Sequence, residues 1–201
     1  GAARLWLDGR WQQVEVIGFE ITDEPVGDVH GMQVNDWSYE GCQALRRGDG
    51  AAAASLFQKS IDFEGESPDL LNNLALAYLQ QGRTGEALQL ARQIHERWPD
   101  YFFGRIAMAN MATAAGDYES ADSYLAPLRQ RRKLHTTEFT SLASANVRLL
   151  LASRNVSAAR TWLAMWRQID PEHPELERLE LKCSSPGAFR ALKRLLPTRR
   201  R

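Results

Sequence analysis

The sequence predicts a mainly α protein, a solenoid of about four helix pairs with a short β-hairpin ahead of it and a capping helix behind. Three observations carry this. Gly48, Gly82 and Gly116 are spaced by 34 residues, as are Ala53, Ala87 and Ala121, and as are Gly41, Ala75 and Ala109. Each period holds two amphipathic stretches of about a dozen residues with apolar positions at helical spacing. Fixed-period self-similarity of this length is the mark of stacked helical hairpins, each burying its apolar face on the next.

Residues 4–21 do not read as helix. Asp8-Gly9 between runs rich in Trp, Leu, Val and Ile is a two-residue hairpin signal. It places Trp6 opposite Trp11, a cross-strand pair worth about 0.2–1 kcal/mol. A lone hairpin is marginal in water, so it must pack on the helices, join upstream strands or pair with another chain. Residues 22–33, rich in Asp, Gly and Pro, read as a linker that completes an N-terminal segment over 1–33. The chain opens on Gly1-Ala2-Ala3-Arg4 without Met, so Gly1 reads as a cloning remnant, and whether sequence lies upstream is left open.

Four units follow, at 34–67, 68–101, 102–135 and 140–173. The first carries Trp37, Gly41, Ala44, Ala53 and Phe57; the second carries Leu71, Leu74, Ala75, Tyr78, Ala87, Ala91 and Pro99. Arg105, Met108, Ala109, Ala112, Ala121 and Leu125 mark the third, and Ala143, Asn146, Val147, Leu150, Ala159, Leu163 and Pro171 the fourth. Ser67-Pro68-Asp69 supplies an N-cap, a first-turn proline and an early acid. The three period-marking glycines suit the left-handed residue that ends a helix. Three places depart from the pattern. Arg154 stands where the turn glycine belongs, so that turn needs Asn155, a cap residue, or another geometry. Pro127 falls inside a helix and should kink or shorten it. Four extra residues near His135-Thr136-Thr137-Glu138 imply a longer first helix in unit four or a changed stacking angle.

These residues resemble the tetratricopeptide repeat (TPR), whose pattern runs W-x2-L-G-x2-Y, then A-x3-F, then P. The resemblance covers roughly two thirds of the chain and implies a right-handed α-α superhelix. It also implies a concave groove, lined by the first helix of each unit, that holds a peptide or a partner helix. Carried over by position, the groove residues are Cys42, Leu45 and Arg46; Asn72, Leu76, Leu79 and Gln80; Phe103, Ile106, Asn110 and Thr113; and Ser144, Arg148 and Leu151. The lining is mostly apolar with amides. Phe103 and Ile106 stand where relatives that clamp a chaperone's C-terminal carboxylate carry lysines, so that function is not expected.

Pro174 to Lys182 reads as a capping helix, and a second short helix is expected from Ser185-Pro186, with Phe189, Leu192, Leu195 and Leu196 on one side. The tail from 183 to 201 holds Arg190, Lys193, Arg194, Arg199, Arg200 and Arg201 and no acid. Net charge is zero, yet residues 1–70 carry 5 basic and 13 acidic side chains and residues 71–201 carry 20 and 12. That asymmetry can steer a partner, a nucleic acid or a second copy.

No catalytic constellation is present. His30, His95, His135 and His173 lie too far apart in sequence for helical metal spacing, and there is no nucleophile elbow, phosphate loop or Cys-x-x-Cys pair. Cys42 and Cys183 read as free thiols in a reducing cytoplasm, and no apolar run is long enough to cross a bilayer. The expectation is a non-enzymatic, cofactor-free and metal-free protein-interaction module acting as adaptor, assembly factor or chaperone. Two other readings are a targeting protein that contacts nucleic acid or anionic membrane through the basic tail, and a scaffold that self-associates through the N-terminal hairpin.

Overall fold

The structure is a computed structural model that describes the backbone of residues 2–7, 10–15, 20–23 and 36–184, with side chains at 20–23 and 36–183. A β-hairpin, β1 (Ala2–Leu7) and β2 (Arg10–Glu15), comes first, paired antiparallel with Trp6 opposite Trp11 and Leu7 opposite Arg10. The register leaves Asp8 and Gly9 as the two linking residues, which lie outside the described ones, as do 24–35 and the basic tail from 185 onward.

Four helix pairs follow. They are α1 (Asp36–Arg46) with α2 (Gly50–Glu64), α3 (Pro68–Gln80) with α4 (Thr84–Arg97), α5 (Phe102–Ala115) with α6 (Tyr118–Arg129), and α7 (Thr136–Ala152) with α8 (Val156–Ile169). The capping helix α9 (Glu175–Ser184) packs on α7 and α8. The first helices contact one another in sequence, α1 to α3 to α5 to α7 to α9, and each second helix packs on the first helix of the next pair. This is the α-α solenoid expected from the repeat.

The joint inside each pair is the same four times. In the first, Gly48 takes φ 78°, its amide donates to the Leu45 carbonyl, and the Asp49 amide reaches back to Ala44. Gly82 and Gly116 repeat this at φ 73° and 82°. Such a left-handed closure satisfies the last carbonyls of one helix while reversing the chain. Arg154 does the same without glycine, at φ 65°, with the Asn155 amide donating to Leu150. The geometry is therefore retained. Asn155 instead caps the next helix, its Oδ1 accepting from the Ala158 amide at 3.2 Å, as Asp49 and Asp117 cap theirs.

Pro127 shortens α6 to 12 residues against 14 or 15 in α2, α4 and α8. The four extra residues lengthen α7 to 17 by adding a turn at its start, where the Glu138 carboxylate accepts from the His135 amide and His135 Nδ1 accepts from the Thr137 amide.

Packing within each pair depends on complementary sizes across one contact. Gly41 faces Phe57, whose ring is fully buried; a Cβ at residue 41 would sit 2.7 Å from Phe57 Cε1. At the matching places of the later pairs stand Ala75 and Ala91, Ala109 and Leu125, and Val147 and Leu163, all buried. As the second-helix residue shrinks from Phe, the first-helix residue can grow from Gly.

The N-terminal segment holds a feature the periodicity does not show. β3 (Glu20–Thr22) pairs in parallel with β4 (Lys133–His135), the short strand between α6 and α7. Ile21 stands opposite the fully buried Leu134 and packs on the core of the third and fourth pairs. The Glu20 amide donates to the Arg132 carbonyl at 2.7 Å, Lys133 pairs with Glu20 at 3.4 Å, and Thr136 Oγ1 donates to Asp23 at 2.6 Å. Ile21 and Thr22, expected in the hairpin and at the start of the linker, thus belong to a separate strand. That strand ties the N-terminal segment to the second half of the solenoid.

Two expected outcomes follow from the packing. Gly41→Ala should destabilise the fold by about 1–3 kcal/mol, since the Phe57 ring has no space to yield, and Phe57→Leu in the same chain should restore part of it. Chemical denaturation checks both; an unchanged midpoint for the single variant would refute the contact. Arg154→Gly should stabilise by about 0.5–1 kcal/mol, because it removes a left-handed strain of about 1–2 kcal/mol and adds some unfolded-state entropy. At this size the melting temperature should rise by roughly 1–4 °C, and a fall would show that the arginine side chain contributes more than the strain.

Candidate protein-interaction groove

Which face can bind follows from the spacing of the two helix layers. Successive first helices contact each other, while no two second helices pack together to a comparable extent among the described residues. The closer-packed layer is the inner side of the curve, so α1, α3, α5 and α7 form the concave face.

The sequence-derived positions divide into three groups there. Leu76 and Leu79, one turn apart on α3, expose 44% and 48% of their surface. Arg46 and Gln80 beside them are also exposed, and Gln80 Nε2 donates to the Leu45 carbonyl at 2.9 Å, linking the ends of α3 and α1. Cys42, Leu45, Asn72, Phe103, Asn110 and Thr113 are half-buried. Cys42 and Leu45 pack on the core of the first two pairs, and Cys42 Sγ accepts from Asn73 Nδ2 at 3.9 Å. Burial pushes the Cys42 thiol up, although nearby Arg46 opposes this, so it stays a neutral thiol at physiological pH. Phe103 packs edge-on against Phe102 and Tyr101, with centroids 5.3 and 5.9 Å away.

The remaining positions are engaged by the protein itself. Ile106 is buried in the core of the third and fourth pairs, and Leu151 packs against that core. Arg148 pairs with Glu175 of α9, and Ser144 Oγ donates to the same carboxylate at 2.8 Å. The capping helix therefore closes the far end of the concave face. Burial raises the Glu175 pKa, but the Ser144 hydroxyl and the Arg148 and Arg178 guanidiniums outweigh it and hold the group below its ordinary value. The basic tail residues Arg190, Lys193, Arg194, Arg199, Arg200 and Arg201 lie outside the described residues.

Two tertiary links were not legible in the pattern. Tyr101, at the start of α5, donates from its hydroxyl to Asp69 on α3 at 2.7 Å, and burial with that carboxylate raises the phenol pKa. Glu175 is the second. It reads as one of several surface acids on a polar helix, and only the placement of α9 brings it onto Ser144 and Arg148. Among the described residues no three His, Cys, Asp or Glu side chains gather as a metal site would need, and no helix is long and apolar enough to cross a membrane.

The helix pairs thus stack with an apolar, amide-flanked face formed by the first helices and an end covered by α9. Residues 44–100, from the end of α1 to the loop before α5, match the family model of the tetratricopeptide repeat. Among solved structures, the chain is similar to a point mutant of MamA at 15% identity, covering 75% of this chain and 80% of that one with a TM-score of 0.46. It is similar also to MamA AMB-1 at 14% identity and the same coverage, with a TM-score of 0.44. No curated protein matches the sequence.

The charge account of α9 predicts a pH signature. Glu175→Gln should cost about 1 kcal/mol near neutrality, a value discounted for the exposed arginines. A depressed folded pKa contributes stability above the unfolded carboxylate value and loses it as pH falls through the folded value. The penalty should therefore fade in acid. Denaturant unfolding of both proteins at neutral and acidic pH measures it, and a penalty that persists undiminished in acid would rule out the charge.

Proposed function

We propose that the protein is an adaptor, assembly factor or chaperone-like module that receives a peptide or an amphipathic helix along the concave face of α1, α3 and α5. The observation that carries this is the exposure of Leu76 and Leu79 together, one turn apart, on an inner face whose other apolar positions are half-buried or buried. A solvent-exposed leucine pair costs nothing in isolation, but its place at the middle of a curved groove matches apolar anchors spaced by one helical turn in a partner. The flanking amides of Asn72, Gln80 and Asn110 and the hydroxyl of Thr113 give such a segment hydrogen-bond partners, while Cys42, Leu45 and Phe103 form the half-buried floor.

The occupied end sets a limit on the footprint. Arg148 and Ser144 serve α9 and are excluded from the binding surface unless that helix leaves. The reading therefore places the footprint over the first three pairs.

The test is a comparison of Leu76→Glu/Leu79→Glu with the wild type in affinity purification from the native host, followed by titration of each recovered partner with purified protein. Two charged replacements at a desolvated anchor should weaken a groove-bound partner by about tenfold or more. Circular dichroism should show the fold unchanged, because both positions are exposed. If every partner keeps its affinity for the double variant and for Phe103→Glu, the groove is not the binding surface.

A further inference from the structure

Among the links between successive helix pairs, one contains a strand. Residues 65–67 between α2 and α3 and residues 98–101 between α4 and α5 hold none, whereas the link from α6 to α7 holds β4, Lys133–His135. The other pairs stack without such a strand, so stacking alone does not call for it. What β4 adds is a backbone edge.

Contacts within the solenoid hold that edge in place. Leu134 is fully buried in the core of the third and fourth pairs. The Glu138 carboxylate accepts from the His135 amide at 3.0 Å and pairs with Arg131, whose guanidinium lies 5.1 Å from the centre of the Phe102 ring. His135 in turn caps α7 through Nδ1. The flanking helices α6 and α7 pack on each other and both pack on α5. None of these contacts involves β3.

Each residue from Glu20 to Asp23 meets a distinct feature of the edge. The Glu20 amide donates to the Arg132 carbonyl at 2.7 Å, and its carboxylate lies 3.4 Å from Lys133 Nζ. Ile21, half-buried, packs on the apolar core opposite Leu134. Thr22 stands opposite His135, with its carbonyl 3.4 Å from Thr136 Oγ1. Asp23 accepts from that hydroxyl at 2.6 Å, beside the first turn of α7, where the helix dipole favours an anion. In strand addition the backbone ladder gives affinity and the side chains give selectivity. Here the selective features are an acid, an aliphatic residue and a second acid, at the first, second and fourth places.

An edge shaped without its strand, and a strand held by one apolar side chain and a few polar contacts, are the parts of an exchangeable complex. We infer that β4 with the first turn of α7 is a recognition site for an extended peptide of the pattern acid–aliphatic–x–acid. The chain's own β3 fills the site in cis, and a segment of another protein with the same pattern can take its place. Being covalently attached, β3 meets the edge at an effective concentration on the order of millimolar. A partner segment therefore competes when it matches the pattern and a second contact holds it nearby.

The site is separate from the concave face, so Leu76→Glu/Leu79→Glu should leave it unchanged, and its failure would not touch the groove reading. The test uses the full chain in two opened forms. Ile21→Asp removes the apolar anchor, and Glu20→Pro removes the amide that donates to Arg132. The probe is a synthetic peptide carrying Glu-Ile-Thr-Asp between Gly-Ser flanks, titrated into isotopically labelled protein and followed by nuclear magnetic resonance. Both opened forms should show saturable shifts at Lys133, Leu134 and Thr136, and the wild type should bind about tenfold more weakly or less, because β3 competes. Replacing the peptide's isoleucine by aspartate should weaken binding to the opened forms by about tenfold or more. Opened forms that do not bind, a wild type that binds as well as they do, or a peptide indifferent to its isoleucine would each overturn the proposal. Loss of the helical circular dichroism signal in both opened forms would overturn it too, because β3 would then be a fixed part of the fold.

Discussion

The close contact between the two helices of each pair, at Gly41 and Phe57 and their equivalents, governs this structure. Gly41 against Phe57 is its extreme form, with no space for even one added carbon. The close approach it permits sets the separation of the helices in a pair. The left-handed residue at 48, 82, 116 and 154 then fixes where the chain reverses, so that the second helix arrives in register with the first. Everything further out is a consequence. Pairs built alike stack alike, first helices line the inner side, and the concave face exists because that layer packs more closely than the outer one.

That logic explains what was legible in the sequence. Glycine at a positive φ and small residues at close contacts are local requirements, and the chain states them at fixed spacing. The pairs and their joints could therefore be read from Gly48, Ala53, Gly41 and their equivalents, and the hairpin register from Asp8-Gly9. Arg154 shows where the reading stops. The expectation allowed a different geometry because arginine is a poor left-handed residue, yet the turn kept its shape. Three neighbouring joints and the packing of α7 on α8 over-determine that backbone, and a strain of about 1–2 kcal/mol is small beside it.

Non-local pairings were harder to read. The β3–β4 contact joins residues separated by more than a hundred positions, through three-residue strands whose sequences, Glu-Ile-Thr and Lys-Leu-His, carry no periodic signal. A hint stood in the four extra residues near His135. They break the repeat where a strand and a helix turn were needed, one to receive Ile21 and the other to extend α7. The capture of Glu175 by Ser144 and Arg148 was equally hidden, since a position alone does not say which helix will lie across it. For the candidate groove this mattered directly. The family positions located the concave face, but only the packing separated the exposed Leu76 and Leu79 from Ile106 in the core and Arg148 under the cap.

A solenoid has two ends as well as a groove, and they are treated unequally here. At the C-terminal side α9 covers α7 and α8 with buried Leu176, Leu179 and Cys183 and turns Glu177 and Lys182 outward. The β3 strand of the N-terminal segment is tied to the third and fourth pairs and leaves α1 uncovered by it. Trp37 of α1 is 37% exposed and meets only the edge of the Phe63 ring within its own pair. Leaving a tryptophan partly in water forgoes about 25 cal/mol for each Å² of apolar area not covered. A polar residue there would avoid that loss and would also lower the risk of unwanted association. The two ends therefore meet water differently: α9 lays a charged outer face over buried leucines, while the first pair sets an exposed edge-on aromatic contact beside Asp36, Glu40 and Asp62.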